Sequence, residues 1–194
     1  MTDHIDRWDP HAEVFLHYDV TKLLDRHARG TDRKDWDLVR AAYHPDGVDN
    51  HGAFDGLGSE FAEFLATRPD FVQVMQHFLG RTALLEVDRE RKTVLAETHG
   101  VAWQVQSDDA PAIPDHYHVS VDPETGEPHA GVAAIGFRYV DLLTERDGEL
   151  LIQTRTVVYE WVGAMPLAGA SYLAGKIRGI RDDSDFSYQA VAAR

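Results

Sequence analysis

Leu16, Val20, Leu23, Leu24, His27 and Ala28 recur at i, i+4, i+7, i+8, i+11 and i+12. That spacing predicts one buried stripe of an amphipathic helix. Gly30 suits the end of that helix. Asp35 suits the N-cap of a second, with Trp36, Val39 and Tyr43 on its inner side. "HPDG" at 44–47 stops the second helix, because proline and glycine punctuate strongly. Ser59 can cap a third, "EFAEFLATR", ended by Pro69. A short fourth is expected around "DFVQVMQHF". From residue 81 the period shortens to two. "TALLEVD" and "TVLAETHGVAWQV" read as strands joined by the polar "RERK". "GVAAIGFRYVDLLTE" and "LLIQTRTVVYEWV" read as strands joined by "RDGE", whose Asp147-Gly148 is a strong hairpin signal. Helices followed by an antiparallel sheet predict an α+β fold. A curved sheet wrapping those N-terminal helices would enclose a concave cavity, a common place for ligands.

The segment 107–131, rich in Pro, Asp, Gly and His, reads as an enlarged insert between strands. After residue 163 a Gly/Ala-rich and then charged tail follows. No Pro/Gly/Ser-rich linker divides the 194 residues, so one domain spanning 1–194 is expected.

Composition narrows the function classes. Nineteen basic against 33 acidic residues leave a formal charge of -14, which repels polyanions and argues against a nucleic-acid partner. There is no cysteine, so disulfides, thiolate catalysis and cysteine-ligated clusters are excluded. The charged N-terminus lacks the apolar core of a signal peptide, and no run of about 18 apolar residues predicts a membrane span. The expectation is a cytoplasmic protein without a membrane partner.

The candidate chemistry is polar residues on otherwise apolar elements. His27 lies on the buried stripe of the first helix and needs a partner there. Asp32 follows five residues later, beside Arg33 and Lys34; on its own it reads as a turn or capping carboxylate. His77 sits among Met75, Phe78 and Leu79, as a packed group or as a general base whose tautomer a carboxylate would set. Arg155 shares one strand face with Gln153, Val157 and Tyr159, while Ile152, Thr154, Thr156 and Val158 share the other. The alternation leaves open which face is buried. "DNHGAFDG" puts Asp49 and His51 on one side if extended. Metal is a tempting reading there, as it is for His116, His118 and His129 in the insert. Neither group has the spacing of a known ligand box, so no metal is expected. There is no H-E-x-x-H, G-x-S-x-G, Walker loop or G-x-G-x-x-G.

The order "HARGTDRKDWDLVRAAYHPDGVDNHGAFDG", "QHFLGR" and "FRYVDLLTERDGELLIQTRTVVYEW" resembles the SnoaL-like branch of the nuclear transport factor 2-like superfamily. The resemblance covers roughly residues 11–163, and the tail "RDDSDFSYQ" also looks like the family's end. It implies a cone-shaped α+β barrel, with helices closing one side of a curved antiparallel sheet. In catalytic relatives, bile-acid 7α-dehydratase and hexachlorocyclohexane dehydrochlorinase among them, an aspartate and a histidine form a dyad inside the cone. Asp32 in "GTDRKDW" matches that aspartate and His77 in "QHFLG" that histidine. Arg155 matches a cavity arginine on a late strand. Dehydratase-type relatives often carry a tyrosine where this chain has His27, a departure that points to a different substrate.

The resemblance implies a cofactor-independent lyase with catalytic His77, Asp32 and Arg155. His27, Trp36, Asp49, His51 and Tyr159 would line the substrate site. It would remove water, a halide or a small fragment from a hydrophobic, ring-containing molecule. The alternatives are an isomerase or cyclase of a steroid- or polyketide-like substrate, and a non-catalytic cone that binds a ligand or serves as a partner subunit. Relatives often form dimers or trimers, so a homo-oligomer is expected.

Overall fold

The computed structural model describes residues 6–67, 72–107, 131–166 and 176–192. After a 3-10 turn at Pro10–Ala12 comes helix α1, Glu13–Arg33. All six positions of its predicted stripe are buried. Leu16, Val20, Leu23 and Leu24 pack with Val94, Ala96, Leu143, Leu150 and Ile152 of the sheet in the larger core cluster. A helix α2 (Trp36–Arg40) follows, capped as expected by the Asp35 side chain accepting from the Leu38 N–H.

The end of α1 is corrected. The helix runs past Gly30 to Arg33 and closes on Lys34, which takes the left-handed conformation at φ 55°. Gly30 serves packing instead. A Cβ there would lie 2.9 Å from Val39 Cγ2 and 3.0 Å from the Asp35 carbonyl oxygen, so only glycine lets α2 fold back this closely. Asp32 therefore sits within the last turn of the helix, not beyond it.

Strand β1 (Tyr43–Asn50) contains the "HPDG" stretch, and β2 (Asp55–Leu57) leads into α3 (Gly58–Ala66). Tyr43 thus belongs to a strand, not to the second helix. The α3 N-cap falls on Leu57, and Ser59 lies inside the helix. The Pro69 expectation lies outside the described residues.

The expected fourth helix is a strand. β3 spans Val72–Asp88, with Met75, His77 and Leu79 half-buried and Gln73, Gln76 and Phe78 exposed. A register shift between Val72 and Val74 restores the alternation. Pairing along β4 (Thr93–Gln106) outweighs a short window's helical spacing, since strand preference is set largely by neighbours. The "RDGE" turn joins β5 (Gly131–Arg146) to β6 (Glu149–Pro166), with Asp147 and Gly148 both at positive φ as a tight hairpin requires. The predicted insert at 107–131 falls almost wholly outside the described residues, as do His116, His118 and His129.

The sheet order is β2-β1-β6-β5-β4-β3. It is curved and unclosed. It is also mixed rather than antiparallel throughout, because β1 pairs with β6 in parallel. That crossover places β1 beside β6, with α3 against β1 and α1 against β6, so β1, β6, β5 and α1 converge on one buried polar patch. A final helix α4 spans Phe186–Ala192. Among the described residues no helix is long and apolar enough to cross a membrane.

Candidate active site

The sheet edge builds the first part of the site. Among the described residues β3 is an edge strand, so backbone groups on its free side lack a strand partner there. The His77 N–H points that way and donates to both Asp32 oxygens, at 3.2 and 3.1 Å. The His77 ring also meets Asp32, with Nδ1 at 2.6 Å from Oδ1. Asp32 accepts from the backbone N–H, so it acts as an acceptor toward the ring as well. That assigns the ring proton to Nδ1 and leaves a lone pair on Nε2. No described residue bonds to Nε2. The ring edge meets Phe137 at 5.9 Å between centroids. A cavity of about 240 Å³ opens beside the dyad, lined by Asp25, Ala28, Arg29, Arg33 and Leu79 together with Asp32 and His77.

The C-terminal segment holds the dyad's two supporting elements together. Arg181 donates to the carbonyls of Thr31 and Asp32 at the end of α1, and to Val72 at the start of β3. Tyr188 donates to Asp35 at 2.9 Å. Asp185 organises this segment, accepting from the Ile180 and Ser187 N–H groups and from the Ser187 hydroxyl. Those bonds lower its carboxyl to about 2. A carboxyl depressed on folding stabilises the fold above its ordinary value near 4, and that contribution is lost as pH falls toward 2. Asp185→Asn should therefore melt below wild type at pH 6, and the difference should shrink between pH 4.5 and 2.5. A gap that stays constant in thermal unfolding over that range would contradict the assignment.

A second polar group lies deeper, under α1. Arg155 has a fully enclosed side chain and donates through Nε and Nη2 to the two oxygens of Asp141, both at 2.8 Å. Its Nη1 reaches His27 Nδ1 at 3.1 Å. Its guanidinium carbon lies 3.8 Å from the Tyr139 ring centroid. Burial opposes the charge on Arg155, but Asp141 and the surrounding tyrosines hold its proton well above the ordinary value. Burial likewise pushes Asp141 up against the guanidinium's pull. Two parallel bonds of this length fit an ion pair.

The network fixes the remaining tautomers. Tyr43 Oη donates to Asp49 Oδ2 in a short hydrogen bond and lies 3.2 Å from His27 Nε2. Tyr43 therefore accepts from His27, whose Nδ1 accepts from Arg155. His27 is neutral with its proton on Nε2. Burial, then the Arg155 charge, hold it well below the usual histidine range, and His51 and His77 push the same way. Burial keeps Tyr43 protonated. Asp49 Oδ1 accepts from His51 Nδ1 at 2.8 Å. Burial raises the Asp49 carboxyl, but bonds from His51 and Tyr43 and the Arg155 charge outweigh it and leave the group below its ordinary value.

Seven of the eight expected site residues thus fall into two linked groups, Asp32 with His77, and His27, Arg155, Asp49, His51 with Tyr159. Tyr159 donates to the His51 carbonyl at 3.2 Å. Trp36 instead packs with Val39, Phe61 and Ala62. Sequence reasoning missed Asp141, Tyr43 and Phe61. For Asp141 a signal existed, a carboxylate alternating with Phe137, Tyr139 and Leu143 on one strand face.

A family model for a SnoaL-like domain matches residues 12–156. No curated protein sequence matches the chain. Among solved structures, a scytalone dehydratase-like protein from Novosphingobium aromaticivorans is similar at 10% identity and TM-score 0.59, covering 81% of this chain and 93% of its own. A type 2 hexachlorocyclohexane dehydrochlorinase is similar at 14% identity and TM-score 0.60, covering 81% and 92%. The β subunit of an aromatic-ring-hydroxylating dioxygenase-like protein, also from N. aromaticivorans, is similar at 15% identity and TM-score 0.52, covering 85% and 99%.

Proposed function

The chain belongs to the SnoaL-like family, and from that premise we propose that it is a cofactor-independent lyase in which His77 is the general base. The observation that carries this reading is the Asp32–His77 contact of 2.6 Å, with Nε2 left without a partner among the described residues. A neutral imidazole has a proton affinity suited to neutral pH. Such a base removes a carbon-bound proton when a neighbouring carbonyl acidifies that bond, or in concert with departure of a good leaving group from the next carbon. As the imidazolium forms, Asp32 stabilises it and holds the ring in place. Met75, Leu79 and Phe137 around His77 exclude water and strengthen both interactions.

In this reading Asp32 and His77 carry the reaction, and the substrate is a small hydrophobic ring compound. Arg155 spends all three of its nitrogens on Asp141 and His27. It acts as a positioning residue, keeping His27 neutral and the floor of the site rigid. His77 works with its lone pair free, so a divalent ion there would compete with the proton it must accept.

The test is an incubation with ring ketones carrying a hydroxyl or halide one carbon beyond the acidic C–H, read by mass spectrometry. The expected product is lighter by water or by hydrogen halide, and thorough chelation leaves the rate unchanged. A product of unchanged mass would replace the lyase with an isomerase. Loss of activity on chelation, restored by one stoichiometric divalent ion, would replace acid–base chemistry with metal-assisted chemistry.

A further inference from the structure

The fold holds a second carboxylate–imidazole pair that the proposed base does not use. His51 donates through Nδ1 to Asp49 at 2.8 Å, the same atom and the same kind of partner that His77 has in Asp32. Asp49 is fully buried, and its other oxygen is held by Tyr43. Tyr43 is in turn tied to His27 and so to the Arg155–Asp141 pair. The orientation of His51 is fixed from every side. Its ring stacks on Phe61 at 4.3 Å and 20°. Its backbone N–H donates to Phe54, and its carbonyl accepts from Ala53 and Tyr159. Yet the ring is not sealed, since the side chain keeps 19% of its surface exposed. No described residue bonds to its Nε2.

A chain of two buried aromatic rings connects the two imidazoles. His51 lies 6.2 Å from the Tyr139 ring, Tyr139 lies 4.6 Å from Phe137, and Phe137 lies 5.9 Å from His77. A structural histidine needs no such arrangement. It would bury both nitrogens against fixed partners, as His27 does.

We propose that His51, oriented by Asp49, is the acid that protonates the departing oxygen when His77 takes the proton from carbon. This rests on the lyase reading and narrows it, because a halide leaves unaided whereas a hydroxyl leaves only as water. The chain is then a dehydratase. His77 Nε2 forms a bond to the substrate hydrogen, the C–H electron pair becomes the new C=C bond, and the C–O bond breaks onto oxygen. That oxygen takes the proton from His51 Nε2 and departs as water. His77 ends as imidazolium and His51 as neutral imidazole, and exchange with solvent resets both. Asp49 stabilises the charged form of His51 before the step, as Asp32 stabilises that of His77 after it.

The test compares two probes that differ only in what leaves, 3-hydroxy-1-indanone and 3-(4-nitrophenoxy)-1-indanone. Nitrophenolate departs without protonation, so its elimination depends on the base alone. His51→Gln and Asp49→Asn should each lower the rate ratio of hydroxyl to nitrophenoxide elimination by about 100- to 10,000-fold. His77→Ala should slow both probes alike and leave that ratio near the wild-type value. Nitrophenolate release by the His51 and Asp49 variants shows that they are folded and hold the probe. A His51→Gln variant with an unchanged ratio, whether both rates fall or neither does, would overturn the acid assignment and leave the base in place. Equal rates in His77→Ala and wild type would instead overturn the lyase reading, and so would a wild-type protein inert toward both probes.

Discussion

His77→Ala is expected to lower turnover by about 100- to 10,000-fold while the protein stays folded. The magnitude follows from the geometry. Among the described residues Asp32 orients the lone pair of His77 alone, and it spends three side-chain contacts on that one residue. A pair acting as one unit gives non-additive losses, so the Asp32→Asn, His77→Ala double variant should be little slower than His77→Ala alone. Steady-state rates beside a thermal melt decide it. A folded His77→Ala protein within a few-fold of wild type would remove the base. Losses that multiply in the double variant would mean that Asp32 acts on something other than His77.

The second large effect is expected at the Arg155–Asp141 pair, and it is one of stability. Arg155→Met would leave Asp141 buried without its counter-charge, and His27 Nδ1 without its donor. Breaking a buried pair from one side costs about 3–5 kcal/mol, a large share of a typical domain's stability. Arg138 is also ion-paired, to Glu97 and Glu160, but at the surface, where water screens the charges and little stability depends on them. Urea unfolding should therefore show a large fall in the midpoint for Arg155→Met and almost none for Arg138→Met. Replacing both partners, as Arg155→Met with Asp141→Leu, should recover part of the loss, since Asp141 no longer carries an unpaired buried charge. A single variant within about 1 kcal/mol of wild type would show that the pair is not the anchor of this floor.

Much of the fold was legible because it is encoded locally. The apolar stripe of α1 repeats within one helix, and the Asp147-Gly148 turn needs only two residues able to take positive φ. The cap at Asp35 is likewise a bond over three residues. The misreadings arise where a partner distant in sequence outweighs the local pattern. The window around His77 carries helical spacing, yet pairing with β4 makes it a strand, and its place at the sheet edge frees the His77 N–H for Asp32. Gly30 looks like a helix end when read locally. It is a point of closest approach between two helices, which no spacing within α1 reveals.

The candidate site divides along the same line. Asp49 and His51 stand two residues apart, so a shared side was readable from an extended strand. Asp32 and His77 are 45 residues apart and meet only because α1 lies beside an edge strand. Arg155 and Asp141 show how little suffices to hide a contact. Counting back from the hairpin, Glu145 faces Leu150 and Leu143 faces Ile152, which would put Asp141 opposite Thr154. A register shift between Leu142 and Leu143 moves Asp141 opposite Arg155. It also lets Ile152 be buried on a strand where Arg155 and Val157 are buried too. The sequence by itself determined the helices, the hairpin and the residue types able to exchange protons, because periodicity and turn chemistry act over a few residues. Only the tertiary structure decided which carboxylate meets which base, because one extra residue in a strand reassigns every cross-strand partner beyond it.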